Sequence, residues 1–471
     1  MIRHITCRAA WLACLTLVSA LGAQSAQADL IADIPAGTGY AAWELCTRTQ
    51  QSGDDYLRVR WSYTAPKVQP LPMVWTIKYS PGSKVEVSSF VPFITNKRIA
   101  VYRKGLGCTL VPPGATEAGV RAQAFKSVAL PLPSVQAWPG GEGPTEAARL
   151  TPAQSALLAT HGERIFTETT TKLNQKQNAL AFLVARDGHL VYERYAREYR
   201  RDQPQLGWSM TKSLTGLIAG VMATDGRLTL DAPVGLPQWA GSAKAAITWK
   251  QLLNMAPGMA WNEGYDGASD ATEMLFSQPD EGAWVADRPL IATPGTVFNY
   301  STGFSTLAAY AMKHVLGGHQ ALYNYYQQRL FAPLGIRQGV IEPDASGTPV
   351  GGARGVLRPV DWLRLGQLVA QGGQWQGQTL IAPEVMKFLL APSPASAEYG
   401  GAIWRQPSTA IPDAVRARLP ADLVWFAGHM GQFLVIVPSH NLVVLRMGVS
   451  FEKDQARALV FEAVADLIEQ G

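Results

Sequence analysis

The sequence predicts an α/β (α+β) protein in which an antiparallel sheet flanked by helices follows a small β-rich lobe. Three observations support this class: strand-like runs near the start, two hairpin patterns far apart in the chain, and apolar helical repeats between them. The chain has 471 residues, of which 47% are hydrophobic and 16% are charged. It therefore has enough apolar residues for a large core, and more residues than one domain usually contains.

A leader is predicted over residues 1–28. Arg3 and Arg8 precede an apolar stretch at 9–21 and small residues at 26–28, which is the layout of a secretory signal peptide. The apolar stretch is shorter than the roughly 20 residues of a membrane-spanning helix. We expect cleavage before residue 29, no integral membrane segment afterwards, and a periplasmic or secreted protein; the alternative is an uncleaved anchor. Without the two arginines the net charge of +5 becomes 39 − 36 = +3, which is too small to indicate a nucleic-acid partner.

Two of the four cysteines, Cys46 and Cys108, follow the leader. In an oxidising compartment such a pair predicts one disulfide, and two buried free thiols are the alternative. Neither cysteine has a neighbour at the spacing of zinc ligands, and the seven histidines are scattered. We therefore expect no metal site and no cofactor.

Residues 29–130 are predicted to form the β-rich lobe. Runs of β-branched and aromatic residues lie at 56–61, 73–77 and 100–102, between Pro and Gly turns. Seven Pro and Gly residues then occur between positions 131 and 144. Because both residue types interrupt regular structure, residues 131–150 are predicted to be a linker.

Residues 151–471 are predicted to contain the main sheet and its helices. Thr151 and Pro152 are favourable at a helix start, and Gly188 permits the positive φ of a tight turn. The predicted elements are a helix at 153–173, hairpins at 181–192 and 433–445, and a helix at about 455–468. We expect the early and late strands to share one antiparallel sheet.

Ser209 and Lys212 lie three residues apart at the start of a predicted buried helix. The apolar residues that indicate this helix are Leu214, Leu217, Ile218, Val221 and Met222. The spacing puts Ser209 and Lys212 on one face, where a lysine of lowered pKa can activate a serine nucleophile. The N–H groups at the helix start, including that of Ser209, can stabilise the oxyanion. Taken alone, the Ser-x-x-Lys spacing is also typical of a solvated helix face.

Tyr300 lies in a polar turn at residues 294–303, before a predicted apolar helix at 304–312. If it meets Lys212, the ammonium favours the phenolate, and Tyr300 becomes a candidate general base for Ser209 and a later acid for the leaving group. A core or rim aromatic residue is the alternative.

The segment 428–432 contains two glycines ahead of a strand, which would allow a backbone N–H to approach the substrate closely. The N–H of Gln432 is the predicted second oxyanion donor beside that of Ser209. An ordinary turn into a strand is the alternative.

These three segments, in this order, resemble the serine β-lactamase and penicillin-binding-protein superfamily, in which Ser-x-x-Lys, a Tyr-containing motif and Lys-Thr-Gly line one cleft. More closely, they resemble the class C-related branch that includes 6-aminohexanoate-dimer hydrolase. Further stretches similar to that branch are residues 208–213, 228–234, 252–259 and 358–363. The resemblance covers about residues 180–468 and implies a β-lactamase-like serine hydrolase domain with a cleft at Ser209.

Two departures from the lactamase pattern bear on the substrate. Thr302 stands where many class C enzymes have Asn, and His429-Met430-Gly431 replaces Lys-Thr-Gly. A further stretch, 261–266, resembles the border of the pocket in the dimer-hydrolase branch. The residues that this resemblance implies at the substrate are Tyr265, Asp266, Thr302, His429 and Gly431. A surface loop is the alternative for Tyr265 and Asp266, and a structural histidine packed behind the strand is the alternative for His429.

The sequence therefore predicts an exported serine hydrolase that cleaves a small-molecule amide or ester through an acyl-enzyme on Ser209. The departures move the expected substrate from lactams towards linear amides and esters. The alternatives are a β-lactamase or D-alanyl-D-alanine carboxypeptidase, and a non-catalytic ligand-binding protein on the same fold. The sequence does not determine the oligomeric state.

Overall fold

The described residues, 30–91, 94–128, 134–167, 178–405 and 411–470 of a computed structural model, form four antiparallel sheets and the helices around them. The α-helices are α1 Leu30–Cys46, α2 Tyr56–Arg58, α3 Glu117–Ala122, α4 Pro152–Phe166, α5 Met210–Thr224, α6 Trp249–Leu253, α7 Asp270–Ser277, α8 Glu281–Ala286, α9 Thr302–Leu316, α10 His319–Tyr326, α11 Pro359–Ala370, α12 Pro383–Leu390, α13 Asp413–Arg416 and α14 Lys453–Glu469. The strands are β1 Trp75–Ser80, β2 Lys84–Val91, β3 Ile94–Arg103, β4 Gly107–Val111, β5 Ala179–Arg186, β6 His189–Tyr195, β7 Gln205–Leu206, β8 Val340–Ile341, β9 Gly355–Leu357, β10 Gln374–Trp375, β11 Gln378–Thr379, β12 Val424–Gly428, β13 Gln432–Val437 and β14 Leu442–Gly448.

The largest sheet has five antiparallel strands in the order β12-β13-β14-β5-β6. It contains both predicted hairpins, β5–β6 and β13–β14. The two hairpins meet where β14 pairs with β5, with Val444 opposite Val184. The prediction that the early and late strands share one antiparallel sheet is confirmed.

Helices cover both faces of this sheet. α11 lies on one face, where Leu434 and Val443 belong to the main core, and α4 and α14 lie on the other, beside Phe433 and Val435. Strands buried on both faces need apolar residues at every position, which explains why β13 and β14 show no polar alternation.

Three helices agree with the sequence prediction. α4 begins at Pro152 behind a capping box on Thr151, and the predicted continuation to residue 173 lies partly outside the described residues. α14 covers the predicted 455–468. The apolar residues expected on the buried helix are in the core on α5.

The N-terminal lobe pairs a four-stranded sheet, β1-β2-β3-β4, with α1 packed across it. The strand expected at 100–102 lies within β3, and the one expected at 73–77 overlaps β1. The strand predicted at 56–61 is wrong, because α2 and a π-helical segment occupy that region. Asp55 accepts a hydrogen bond from the Arg58 N–H at 2.8 Å and so caps a helix there.

The end of α1 is joined to β4 by the Cys46–Cys108 disulfide, in agreement with the prediction. Both cysteines are fully buried. The disulfide fixes the helix to the edge of the lobe sheet, next to the region where the lobe meets the rest of the protein.

The described part of the predicted linker, residues 134–150, is packed rather than extended. Trp138 is buried, and its Nε1 donates to the Val360 carbonyl at 3.2 Å. Glu142 forms salt bridges with Arg358 and Arg364 at 2.8 and 3.3 Å. This segment is a strap across the start of α11.

A buried carboxylate from the second region enters the lobe. Glu342 accepts hydrogen bonds from Trp43 Nε1 at 2.8 Å, Thr47 Oγ1 at 2.7 Å and the Cys108 N–H at 2.7 Å. Burial raises the pKa of Glu342 from 4.5 to about 7. The lobe is therefore joined to the rest of the protein by polar contacts as well as apolar ones.

Within the described residues, no helix is both long and apolar enough to cross a membrane. The predicted signal peptide, residues 1–28, lies outside the described residues. Cleavage and export stay predictions.

Candidate active site

Ser209 occupies the N-cap position of α5, and its side chain makes no capping hydrogen bond with the helix backbone. The preceding residue, Trp208, has a φ of +50°, a region that bulky side chains rarely adopt. The Thr211 N–H and hydroxyl both donate to the Trp208 carbonyl, at 2.9 and 2.6 Å. The Trp208 ring contacts Tyr40 and Trp43 of α1, with centroids 6.1 and 5.3 Å apart. The turn that carries the candidate nucleophile is thus held both by α5 and by the lobe.

Lys212 lies one turn further along α5, beneath Ser209, with 1% of its surface exposed. Its Nζ donates to Ser209 Oγ at 2.8 Å, to Thr302 Oγ1 at 2.8 Å and to the Gly352 carbonyl at 3.0 Å. Burial lowers the pKa of Lys212 from 10.5 to about 8, and the Glu263 carboxylate, 3.8 Å from Nζ, opposes this shift. A substantial fraction of Lys212 is therefore neutral near pH 8 and able to accept a proton from Ser209.

Tyr300 joins the predicted pair, with Lys212 Nζ 4.8 Å from the centre of its ring. Burial raises the pKa of Tyr300 above its ordinary value of 10.0, and the Glu263 carboxylate raises it further. Hydrogen bonds with Ser209 and Trp404 oppose the rise without reversing it. The expectation that the lysine favours a phenolate is wrong: the ammonium faces the ring, and the neutral phenol is the stable form.

Glu263 connects these groups, and the sequence prediction did not give it a role. Its carboxylate accepts from the Thr302 N–H at 2.8 Å, from Thr302 Oγ1 at 2.5 Å, from Tyr265 OH at 2.8 Å and from Trp261 Nε1 at 2.6 Å. It is the one charged partner within salt-bridge distance of Lys212 among the described residues. Its position inside the 261–266 stretch, which resembles a pocket border, was the signal that could have identified it.

The predicted substrate contacts Tyr265, Asp266 and Thr302 do not all lie at the cavity. Tyr265 and Asp266 line the cavity above Ser209. Thr302 is fully buried, and its hydroxyl contacts Lys212, Glu263 and Tyr265. Thr302 therefore belongs to the network that holds Lys212 and not to the cavity surface.

The hairpin formed by β12 and β13 comes close to the segment before Ser209 at Gly428. A Cβ at Gly428 would lie 2.2 Å from the Gly207 carbonyl, so only glycine permits this approach. Ala427, Gly428, His429 and Met430 line the cavity. Burial lowers the pKa of His429 from 6.5 to about 3, and nearby cations lower it further, so the imidazole is neutral.

Gly431 and Gln432, the next residues of this hairpin, are not among those that line the cavity, although Gly431 was predicted to contact substrate and the Gln432 N–H to bind the oxyanion. Gly431 has a φ of +82°, and a Cβ there would meet Arg446 Nη1 at 2.7 Å. Gln432 is 1% exposed and pairs with Gly428, and its side-chain amide donates to the His429 carbonyl at 3.0 Å. Neither residue lines the cavity. Gly431 instead packs closely against β14 and α14, and both residues shape the turn.

The cavity at Ser209 has a volume of about 1210 Å³. Its lining from residues 151–471 includes Ser209, Tyr300, Tyr265 and His429. Residues of the N-terminal lobe complete it: Asp33, Ile34, Ala36, Gly37, Tyr40, Lys67, Val68, Gln69, Pro70, Leu71, Met73 and Val74. Among the described residues, no group of three or more His, Cys, Asp or Glu side chains could hold a metal ion.

Part of the chain is similar to known proteins. A relative from Paenarthrobacter ureafaciens, "6-aminohexanoate-dimer hydrolase", is 26% identical over 228 residues, which is 45% of this chain and 57% of that protein. This chain thus matches just over half the length of that relative.

Solved structures support the same fold. A novel penicillin-binding protein homolog from Caulobacter crescentus has a TM-score of 0.53 at 17% identity, over 68% of this chain and 98% of that one. EstCE1, a hydrolase with promiscuous acyltransferase activity, has a TM-score of 0.50 at 17% identity, over 67% of this chain and 99% of that one. Similarity at this level of identity shows the fold alone.

The model of the family described as "Beta-lactamase" matches residues 163–467, which include every predicted catalytic residue. The match covers more than half of the chain and leaves the N-terminal lobe outside it. The chain belongs to the beta-lactamase family.

Proposed function

We propose that this protein is an exported hydrolase that cleaves linear amides or esters through an acyl-enzyme on Ser209. The observation that carries the proposal is the 2.8 Å contact between Ser209 Oγ and Lys212 Nζ, a buried amine with a pKa of about 8. A serine hydroxyl is a weak nucleophile until a base removes its proton, and this pair supplies both groups.

In the first half-reaction, the neutral amine of Lys212 takes the Ser209 proton while Oγ bonds to the substrate carbonyl carbon. The Ser209 N–H at the start of α5 stabilises the resulting oxyanion. As the second donor we choose a backbone N–H of residues 427–430 in place of the predicted Gln432 N–H, because these residues line the cavity.

Collapse of the tetrahedral intermediate breaks the bond to the leaving group, which receives the proton from Lys212 through the neutral Tyr300 phenol. Water then attacks the acyl-enzyme, Lys212 again acts as base, and Ser209 leaves with a proton. The high pKa of Tyr300 suits a hydrogen-bonding relay and not a resting base.

Two features favour linear amides and esters over β-lactams. The neutral His429 offers no positive charge at the position where the lactamase pattern has a lysine. The Thr302 hydroxyl is occupied by Lys212 and Glu263 and is unavailable to a substrate amide. Both recognition functions of the lactamase pattern are therefore missing from these positions.

Export is proposed from the layout of residues 1–28 and from the Cys46–Cys108 pair, since disulfides persist in oxidising compartments. N-terminal sequencing of the protein from cell fractions tests it. A chain that starts at Asp29 in the periplasm or medium is expected, whereas an intact leader in the cytoplasm would contradict export.

A fluorophosphonate probe followed by peptide mass spectrometry tests the acyl-enzyme. We expect a label on Ser209, none in Ser209→Ala, and labelling slowed by about 10²-fold or more in Lys212→Ala. Tyr300→Phe should slow labelling less, because it removes a relay and leaves the base. Ser439→Ala and Lys78→Ala, at exposed positions, are the matched controls.

A folded protein that takes no label at Ser209 would overturn the proposal. A parallel incubation with labelled penicillin separates the remaining alternative. We expect no turnover of the lactam, and turnover at a rate similar to that of esters would assign a β-lactamase instead.

A further inference from the structure

One wall of the cavity belongs to the N-terminal lobe, outside the family match at 163–467. The apolar residues of this wall run from the interior to the rim. Ile34, Val68 and Leu71 are 7%, 7% and 6% exposed, whereas Val74 and Met73 are 39% and 83% exposed. These five side chains, here called the lobe wall, form an apolar surface that leads out of the cavity.

The lobe wall is built into the packing of the lobe. A Cβ on Gly37 of α1 would lie 2.6 Å from Leu71 Cδ1, so helix and wall are in close contact. The Val74 N–H donates to the Leu71 carbonyl at 2.9 Å, and the Val74 carbonyl accepts from the Phe90 N–H at 3.1 Å. The segment that carries Val74 is thus fixed both to its own turn and to β2, and the wall is preformed.

Aromatic rings from the hydrolase region also line the cavity. Phe276 meets Tyr40 edge-on, with centroids 5.7 Å apart, and Lys67 Nζ lies 5.5 Å from the centre of the Phe451 ring. The charged residues of the lining are Asp33, Lys67, Glu263, Asp266, Glu398, Lys453 and Arg457. Four of them, Lys67, Asp266, Glu398 and Lys453, are exposed to solvent.

The volume of about 1210 Å³ exceeds the roughly 300–1,000 Å³ of a typical small-molecule site. An acetyl group on Ser209 is much smaller than this volume, whereas a longer alkyl or aryl group would fill more of a cavity that both Ser209 and the lobe wall line. We infer that the lobe wall binds an apolar group of the substrate, so that the enzyme prefers amides or esters with a medium-length or longer apolar arm. This inference rests on the proposed acyl transfer at Ser209.

Hydrolysis of p-nitrophenyl acetate and p-nitrophenyl octanoate by the full chain, below the micellar concentration of either ester, tests the inference. We expect kcat/KM for the octanoate to exceed that for the acetate by about tenfold or more, since each buried methylene favours binding. Met73→Glu and Val74→Glu should lower this ratio by about tenfold with little change in acetate hydrolysis. Val74→Trp, which fills the cavity without adding charge, should lower the ratio as well.

Leu57→Glu is the matched control, because Leu57 is 60% exposed on the same lobe and does not line the cavity. An octanoate-to-acetate ratio that stays unchanged in all three wall variants would overturn the inference, as would a flat chain-length profile in the unmodified enzyme. If Ser209 takes the fluorophosphonate label while these ratios are flat, the inference fails alone. If Ser209 takes no label, the proposed function fails and the inference with it.

Discussion

At the scale of single residues, Lys212 is subject to two opposing influences. Burial disfavours its charge, whereas the Glu263 carboxylate at 3.8 Å favours it, and the balance is a pKa of about 8. Among the described contacts of Glu263, none joins it to Ser209, so it does not take the Ser209 proton directly. It holds Thr302 and Tyr265 and adjusts the basicity of Lys212. It is a positioning residue.

The pH dependence of ester hydrolysis tests this balance. Because only the neutral amine accepts the Ser209 proton, kcat/KM should rise with pH and level off above an inflection near 8. Glu263→Gln removes a negative charge beside Lys212, which lowers the lysine pKa and moves the inflection to lower pH. Glu273→Gln, an exposed matched control, should leave the inflection in place. An inflection that stays or rises in Glu263→Gln would contradict this role.

The sequence identified Ser209, Lys212 and Tyr300 because their spacing and order are local patterns. It could not identify the role of Glu263, which depends on a contact across 39 residues with Thr302. Nor could it give the direction of the Tyr300 pKa shift, because burial and the orientation of the ring towards Lys212 are tertiary properties.

At the scale of elements, α1 joins the lobe to the nucleophile turn. The Tyr40 ring stacks on Trp208, the residue before Ser209, whose positive φ is strained. The sequence predicts a β-rich lobe without α1, since an apolar run of this length is compatible with a helix or a strand until its packing partner is known.

Loss of the Tyr40 stack should loosen the nucleophile turn. An aromatic pair contributes about 1 kcal/mol, so Tyr40→Ala should lower kcat for p-nitrophenyl acetate by about fivefold, and Tyr40→Phe should restore it. Tyr56→Ala, which removes a stack with Tyr79 inside the lobe, is the matched control. Equal kcat values for the Ala and Phe variants at position 40 would argue against a role of this stack in positioning Ser209.

The disulfide between α1 and β4 should stabilise the folded protein. It joins residues separated by 62 positions, and a loop of this length corresponds to about 2–4 kcal/mol of unfolding free energy. The Cys46→Ala, Cys108→Ala double variant should lose this amount in urea denaturation. A reductant should destabilise the unmodified protein and leave the double variant unchanged; a reductant-insensitive unmodified protein would contradict the expectation.

At the scale of the whole molecule, the lobe and the rest of the protein are connected by buried polar groups. No local sequence pattern predicts these contacts. The residues 131–150 were predicted to be a linker from their Pro and Gly content, yet their described part is a packed strap because Arg358 and Arg364 supply partners from more than 200 positions away. The main sheet, in contrast, was predictable, since its hairpins are local.

Glu342 makes the stability of this connection depend on pH. Its pKa is about 7 when folded and near its ordinary 4.5 when unfolded, so the folded state holds a proton that the unfolded chain has already lost. The stabilising contribution of Glu342 should therefore fall by about 1 kcal/mol as pH rises from 6.5 to 8.

Urea denaturation of the unmodified protein and of Glu342→Gln at both pH values measures this term. The variant is expected to be less stable overall, because its amide nitrogen faces a hydrogen-bond donor, so the informative quantity is the difference between the two proteins. That difference should shrink as pH rises. A constant or growing difference would show that Glu342 keeps its charge in the folded state.

The hydrogen bonds of Glu342 also bear on the order in which parts of the chain can fold. They join it to Trp43, Thr47 and Cys108 across 299, 295 and 234 residues. Completion of the lobe is therefore a late event that awaits the C-terminal half of the chain, and slow, non-local closure should govern the refolding rate. A shortened chain beginning at residue 151 would lack all three donors of Glu342, and we expect it to be less stable than the full chain.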